Sequence, residues 1–299
     1  MSTIVVVVLM GGPDAEREIS IQSGTAVANA LNQTNRYSVS LQCIDRITVK
    51  ELKQMHADVF FPVLHGPYGE GGPLQELLEE TGVPFVGSGS VAARKAMDKA
   101  TTKEIATALG IQTPPWSMLE DGERCNINAP LVLKPTDDGS SIDLEICKTN
   151  QEVASARVKL HANRPTLLAE TYIEGREITV GILNGQPLPI VEIVPHKDTP
   201  AYNYEAKYER DDTLFIVEPS LPSNDCVNSA LLLYRTMEIQ DIARVDFIIN
   251  EDGAWLLEIN TMPGFTDHSL VPMAAHHIGL PMTEICASLV SASTSRGVK

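Results

Sequence analysis

Apolar residues fall first into short unbroken runs separated by helical periodicity, and later into strict alternation. Thr3–Met10 is a β-branched run too apolar for a strand with one wet face, so it reads as a parallel strand buried on both sides. Gly11-Gly12-Pro13 ends it, and a helix follows with Ile19, Ala26, Val27, Ala30 and Leu31 on one face. Tyr37–Ile44 and Asp58–Leu64 read as further strands, and Pro73 opens a short helix carrying Leu74, Leu77 and Leu78 that Gly82 stops. Strand and helix in this alternation imply a right-handed parallel α/β lobe ending near Ser90. Lys99–Leu109 reads as a helix closed by Gly110, and Thr113-Pro114-Pro115 as a rigid connector.

Beyond the connector the rhythm changes. Pro130–Lys134, Asp143–Cys147 and Leu167–Glu170 read as short strands, and Thr149-x-x-Glu152 as the capping box of a helix running to Leu160. From Arg176 to Val194 strand follows strand directly, which predicts antiparallel pairing. No internal repeat or low-complexity segment interrupts the chain.

The most informative pattern is a hairpin, Ala243–Ile249 and Ala254–Asn260 around Glu251-Asp252-Gly253. Alternation places Val245, Phe247, Ile249, Trp255, Leu257 and Ile259 on one face. The other face receives Arg244, Asp246, Ile248, Leu256, Glu258 and Asn260. The register that keeps the apolar residues together sets Asp246 opposite Glu258 and Arg244 opposite Asn260. Opposed like charges cost up to about 1 kcal/mol against a neutral pair, a cost that a hard cation between them would remove. Three oxygen donors suit Mg²⁺ or Mn²⁺ shared with phosphate, while a solvated face with Arg244 as counter-ion is the alternative reading.

Composition narrows the classes. The 299 residues suggest two or three lobes, and 43% hydrophobic with 21% charged residues is an ordinary globular balance. Lys and Arg number 23 against 39 Asp and Glu, and the resulting net charge of −16, with no basic cluster, argues against nucleic acid as a partner. The apolar run Ile4–Met10 is far shorter than the roughly 20 residues of a membrane helix and lacks the basic flank of a signal peptide. Five cysteines without a Cys-x-x-Cys pair point to reduced thiols in the cytoplasm and away from a zinc or disulfide scaffold.

Pro135-Thr136-Asp137-Asp138-Gly139-Ser140-Ser141 follows a strand ending in Lys134, and its small residues and hydroxyls could cradle an anion. It is no Walker loop, Gly11-Gly12 is no dinucleotide fingerprint, and taken alone Lys99 and Lys134 read as solvent-exposed lysines.

In their order, several stretches together resemble the D-alanine–D-alanine ligases of the ATP-grasp superfamily. They include Gly11-Gly12…Ala15-Glu16-Arg17-Glu18-Ile19-Ser20, Leu64-His65-Gly66, Gly87-Ser88-Gly89 and Met97-Asp98-Lys99. Further along come Lys134-Pro135…Gly139-Ser140-Ser141, Tyr204-Glu205-Ala206-Lys207-Tyr208 and Arg244-Val245-Asp246. Glu258-Ile259-Asn260-Thr261-Met262-Pro263-Gly264 and His268-Ser269-Leu270-Val271-Pro272-Met273 complete the set. The resemblance implies an α/β protein of three lobes: a parallel, Rossmann-like lobe over 1–90, then two α+β lobes over 91–175 and 176–299 that enclose ATP.

It further implies that ATP phosphorylates one D-alanine and the amine of a second attacks the acyl phosphate, for peptidoglycan precursor synthesis. By motif, Asp246, Glu258 and Asn260 would hold two Mg²⁺ or Mn²⁺ ions, and Lys99, Lys134 and Lys207 would contact phosphate oxygens. Glu170 with Thr171 and Ile173 would address adenine, and Glu177 the ribose. Arg244 and the Gly264 N–H would stabilise the oxyanion; Glu16, beside His65, would receive the first ammonium, and Ser269 and Leu270 the second carboxylate. Glu16, Ser140 and Tyr208 would form a triad holding closed a mobile loop, residues 196–212, whose Tyr202 reads as packing. A homodimer is expected from the same resemblance.

The chain departs from the family pattern in three places. Asp143 stands where glycine is common, Asp137 where a basic residue is common, and Gly71 where an acid is often found. Acids beside a triphosphate weaken its binding unless they point away. Two alternatives are a ligase using D-lactate or D-serine as acceptor, the former disfavoured by Tyr208, and a catalytically silent nucleotide binder, disfavoured by Arg244.

Overall fold

The computed structural model describes residues 3–139, 142–196, 213–221, 225–266 and 268–297. The first apolar run forms β1 (Ile4–Gly11), which lies between β2 (Tyr37–Ile44) and β3 (Val59–Pro62) in a parallel sheet. Val6 to Leu9 have no exposed surface, as a strand covered on both faces requires. Gly11 turns the chain at φ +94°, with an added Cβ falling 2.6 Å from the Ile44 carbonyl oxygen, so only glycine fits.

Helix α1 (Arg17–Gln33) covers this sheet with a face rotated from the expected one, keeping Val27, Ala30 and Leu31 buried. Ile19 and Ala26 are only half-buried, whereas Ser20, Ser23 and Gly24 are buried with Val27 and Leu31. The small residues permit close approach: a Cβ on Gly24 would meet the Met10 Cβ at 2.7 Å. The two hydroxyls are satisfied, Ser20 accepting from the Gly11 amide and donating to the Val63 carbonyl, both at 2.8 Å, and Ser23 accepting from the Phe265 amide at 3.1 Å. Periodicity weighted by hydropathy passes over such residues.

Short helices α2 (Val49–Gln54), α3 (Gly66–Gly69) and α4 (Pro73–Thr81) follow, the last ending at left-handed Gly82 as expected. Then come α5 (Ser90–Met97) and α6 (Lys99–Ala108), the latter capped by Asp98 accepting from the Thr101 amide at 2.6 Å. A second, antiparallel sheet has the order β4-β7-β5-β6, from β4 (Trp116–Glu120), β5 (Leu131–Lys134), β6 (Glu145–Cys147) and β7 (Thr166–Thr171). Strand β4 was not expected from its pattern. Helix α7 (Asn150–His161) is capped by Thr149, but Glu152 takes the amide of Lys148 rather than of Thr149, so the expected box is only half formed.

The third sheet runs β11-β10-β8-β12-β13, with β9 also paired to β8. Its strands are β8 (Arg176–Leu183), β9 (Gln186–Pro187), β10 (Val191–Val194), β11 (Leu214–Val217), β12 (Ile242–Asn250) and β13 (Gly253–Asn260). Helices α8 (Asp225–Thr236) and α9 (Leu270–His277) pack on it, while α10 (Met282–Arg296) packs against α1 and β3 of the parallel sheet. One core cluster joins Val6, Val8 and Phe61 of the parallel sheet to Ile193, Val271 and Leu289, so the two ends of the chain share a core. No helix among the described residues is long and apolar enough to cross a membrane.

Candidate active site

The expected hairpin register is present: Asp246 pairs with Glu258 and Arg244 with Asn260. Its face assignment needs one correction. The register shifts after Asp246, so Phe247 pairs with Leu256 and Leu257 is the extra residue of a β-bulge. Leu256 therefore joins Phe247 in the core, while Leu257 lines the open cleft beside Ile248 and Glu258. Trp255, paired with Ile248, also leaves the core face, and its indole N–H donates to Asn250 Oδ1 at 3.1 Å. Strict alternation cannot reveal a bulge, because the extra residue inverts every later position on its strand.

That cleft lies between the second and third sheets. Lys99, Lys134, Glu170, Glu177, Asp246 and Glu258 line it with Thr171 and Ile173, and Val132, Ile146, Ile248 and Leu257 supply apolar walls. Lys99 and Lys134 are 6% and 5% exposed, which overturns the reading of either as a solvated surface lysine. Lys134 Nζ donates to Glu170 Oε1 at 2.5 Å. Lys99 Nζ donates to the Asp138 carbonyl at 2.5 Å and lies 3.3 Å from Glu258 Oε2. Buried ammonium groups facing an open cleft suit an anionic ligand carrying several charges.

A second cleft adjoins the first and shares Glu258 with it. It is lined by Glu16, His65, Arg244, Asn260, Gly264, Ser269 and Leu270, elements far apart in sequence. Glu16 and His65 are buried at the carboxyl end of the parallel sheet, where ligands of such sheets collect. Gly139 lines the second cleft, where a Cβ would stand 3.2 Å from Glu16 Oε2. Gly264 packs against Ser269, whose Oγ would lie 2.8 Å from an added Cβ and which accepts from the Thr266 amide at 2.9 Å.

Arg244 is aimed by Asp246, donating Nε to Oδ1 at 3.0 Å and Nη2 to Oδ2 at 2.9 Å, while the Thr179 hydroxyl donates to Oδ1 at 2.6 Å. Asn260 Oδ1 accepts from the Met262 amide at 2.8 Å and keeps a second lone pair. Among the described residues no group of three or more His, Cys, Asp or Glu could hold a metal. Asp246, Glu258 and Asn260 offer three hard oxygen donors on one sheet face, a set that fits Mg²⁺ when phosphate and water complete the shell.

Along 105–291 the chain matches the family model D-ala D-ala ligase C-terminus, and along 47–88 the model D-ala D-ala ligase N-terminus. It is 36% identical to the D-alanine–D-alanine ligase of Syntrophotalea carbinolica over 97% of this chain and 96% of that one. To the D-alanine–D-alanine ligase of Aquifex aeolicus it is 37% identical, over 96% and 99%. The chain belongs to the D-alanine–D-alanine ligase family. Its fold superposes on the ATP-complexed D-alanine–D-alanine ligase of Bacillus anthracis with a TM-score of 0.85 at 28% identity, covering 99% and 98% of the two chains. The resemblance read from the motifs and the ATP-grasp architecture it implied are both correct.

Within this ligase-family frame, Ser140, Lys207 and Tyr208, with most of the expected loop 196–212, lie outside the described residues. Asp143, at φ +55°, does not confront a cleft unopposed: Arg164 Nε donates to its Oδ2 at 3.0 Å, and Arg164 Nη2 reaches Asp138 Oδ2 at 2.5 Å. Asp137 is exposed. Two residues missed in the sequence stand out. Glu70 is buried beside His65, with its Oε1 3.8 Å from Nδ1. Burial, then the charge of Glu16, pushes its carboxyl up to about 8, while burial pulls the His65 imidazole down. The other is Lys103, wholly buried under Glu170, whose spacing of four from Lys99 on one helix face was the available signal.

Proposed function

We propose that this chain joins two D-alanines at the expense of ATP, releasing ADP and phosphate. The observation that carries this reading is Glu258, which lines both clefts, so that the lysine-bearing cleft opens onto the one holding Arg244 and Glu16. In the first step a carboxylate oxygen of one D-alanine bonds to the γ-phosphorus as the bond to ADP breaks. The second D-alanine, its amine deprotonated, attacks the acyl carbon, and the tetrahedral intermediate expels phosphate.

In this reading Glu170 and the backbone at Thr171 and Ile173 face adenine, Glu177 the ribose, and Lys99, Lys134 and Lys207 the phosphates. Glu16 receives the ammonium of the first D-alanine beside His65, and Ser269 and Leu270 hold the carboxylate of the second. Arg244, fixed at both ends by Asp246, and the Gly264 N–H stabilise the oxyanion. Asp246, Glu258 and Asn260 would hold two Mg²⁺ or Mn²⁺ ions, which neutralise phosphate charge when bound. Glu16, Ser140 and Tyr208 link three lobes, divided at 90 and 175, and exclude water from the acyl phosphate. The five cysteines are all free thiols, which supports a cytoplasmic site of action, and we take the assembly to be a homodimer.

ADP release measured separately with D-alanine, D-lactate and D-serine tests the assignment. D-alanine alone should support turnover, and Glu258→Gln should abolish it while the variant stays folded. Turnover only when D-lactate or D-serine is added would reassign the acceptor, and no turnover with any of them would leave a nucleotide binder.

A further inference from the structure

Lys103 is among the largest side chains with no exposed surface, and its ammonium has two partners in the interior. Nζ lies 2.8 Å from Glu170 Oε2 and donates to Thr113 Oγ1 at 2.7 Å. The Thr113 hydroxyl in turn donates to the Leu256 carbonyl at 3.0 Å, which moors the group to β13, the strand carrying Glu258. The opposite oxygen of Glu170 takes Lys134. Two lysines thus bracket one buried carboxylate, but they are not equivalent. Lys134 lines the nucleotide cleft and Lys103 does not.

That difference matters once a nucleotide enters. Lys134 is within the cleft and can turn to phosphate oxygens, giving up part of its hold on Glu170. A buried carboxylate left without a cation takes up a proton rather than remain charged. Lys103 has no exposed surface, does not line the cleft and is held by Glu170 and Thr113, so it stays with the carboxylate. Burial draws its ammonium down to about 8, with Glu170 acting against the shift, so it remains protonated at neutral pH. Burial would raise the Glu170 carboxyl, yet Lys134 and Lys103 together hold it below the ordinary carboxylate value.

We propose that Lys103 is the permanent counter-ion of Glu170, a positioning residue that keeps this carboxylate ionised and in place when Lys134 is drawn to phosphate. It thereby sets the preference for a 6-amino over a 6-oxo purine nucleotide. The inference rests on the reading of Glu170 as the carboxylate that faces the base. An ionised carboxylate accepts from a 6-amino group and repels a 6-oxo group, whereas a protonated one donates to the 6-oxo oxygen.

The test is steady-state ADP or IDP release from ATP and ITP at saturating D-alanine, for the wild type, Lys103→Met, Thr113→Val and Glu170→Gln. Lys103→Met should raise KM for ATP about tenfold or more, leave KM for D-alanine unchanged, and reduce the ATP-to-ITP ratio of kcat/KM at least tenfold. Thr113→Val, which only loosens the ammonium, should shift the ratio in the same direction by less, and it serves as the test if Lys103→Met does not fold. Glu170→Gln supplies an amide that can donate to a 6-oxo group, so it should lower the ratio as well. If Glu170→Gln leaves the ratio unchanged, Glu170 does not read the base, and that reading falls together with this inference. If Glu170→Gln lowers the ratio but the Lys103 and Thr113 variants lose ATP and ITP activity in parallel, Lys103 is structural and the inference alone is overturned.

Discussion

Glu70 shows how far one residue can be moved from its ordinary chemistry. Its carboxyl is 5% exposed, accepts from the Gly66 amide at 3.2 Å and sits near Glu16. With a folded value near 8 against an ordinary 4.5, the folded chain holds a proton that the unfolded chain releases. Stability from this group is therefore complete below about pH 4.5 and is lost as pH rises through about 8. Glu70→Gln, which keeps the shape and removes the titration, should lose less thermal stability than the wild type between pH 5 and 9. Unfolding temperatures across that range check it; parallel curves would mean Glu70 is ionised in the fold at neutral pH. The role of Glu70 left no signal in the sequence, and the spacing of Lys103 from Lys99 could not reveal its burial, since burial by distant elements is what makes each unusual.

At the scale of elements, one arginine ties together two acids that follow β5. Arg164, just before β7, spans Asp138 and Asp143, and Asp138 also offers its carbonyl to Lys99. This pairing bears on the doubt that added acids raise about nucleotide binding: Arg164 offsets part of the charge of Asp138 and Asp143 before a triphosphate arrives, while Asp137 is exposed. Arg164→Ala should raise KM for ATP about tenfold, equivalent to about 1.4 kcal/mol, by leaving both acids uncompensated beside the cleft. Adding Asp143→Gly should recover part of that loss, because Asp143 holds φ +55°, a backbone conformation glycine adopts without strain. ATP titrations on the single and double variants measure the coupling, and strictly additive effects would show that Arg164 acts elsewhere.

The whole molecule is tied across its sheets at Asp241, 3% exposed, just before β12. Arg296 at the end of α10 grips this carboxylate with both terminal guanidinium nitrogens, Nη1 and Nη2, and the Gly87 amide donates to Oδ2 at 2.7 Å. Chain positions 87, 241 and 296 therefore meet at one buried charge, and β12 runs from it to Arg244 and Asp246. Arg296→Met should cost about 3–5 kcal/mol, because it strands a buried anion. Asp241→Asn should cost less: the amide oxygen can still accept from Gly87, and the arginine left behind is 27% exposed. Denaturant unfolding of the two variants compares them, and equal losses would mean that packing rather than charge dominates there.

By itself the sequence determined most strands of the first lobe and of the hairpin, though not β4, together with the pairing of Asp246 with Glu258 and the family, all of which rest on local information. Alternation within a strand fixes which residues can share a face as far as the bulge, which is enough to set Asp246 opposite Glu258 and Arg244 opposite Asn260. Short motifs such as Lys134-Pro135 and Glu258-Ile259-Asn260 are likewise read without knowing what packs on them. Only the tertiary structure decided that Leu256 and Leu257 exchange faces at a bulge, that Ser20, Ser23 and Gly24 form the buried side of α1, and that Lys99, Lys103 and Lys134 are buried cations. The physical reason is the same in each case. Desolvation and charge pairing depend on surfaces brought together from opposite ends of the chain, and no local pattern of hydrophobic and polar residues carries that distance.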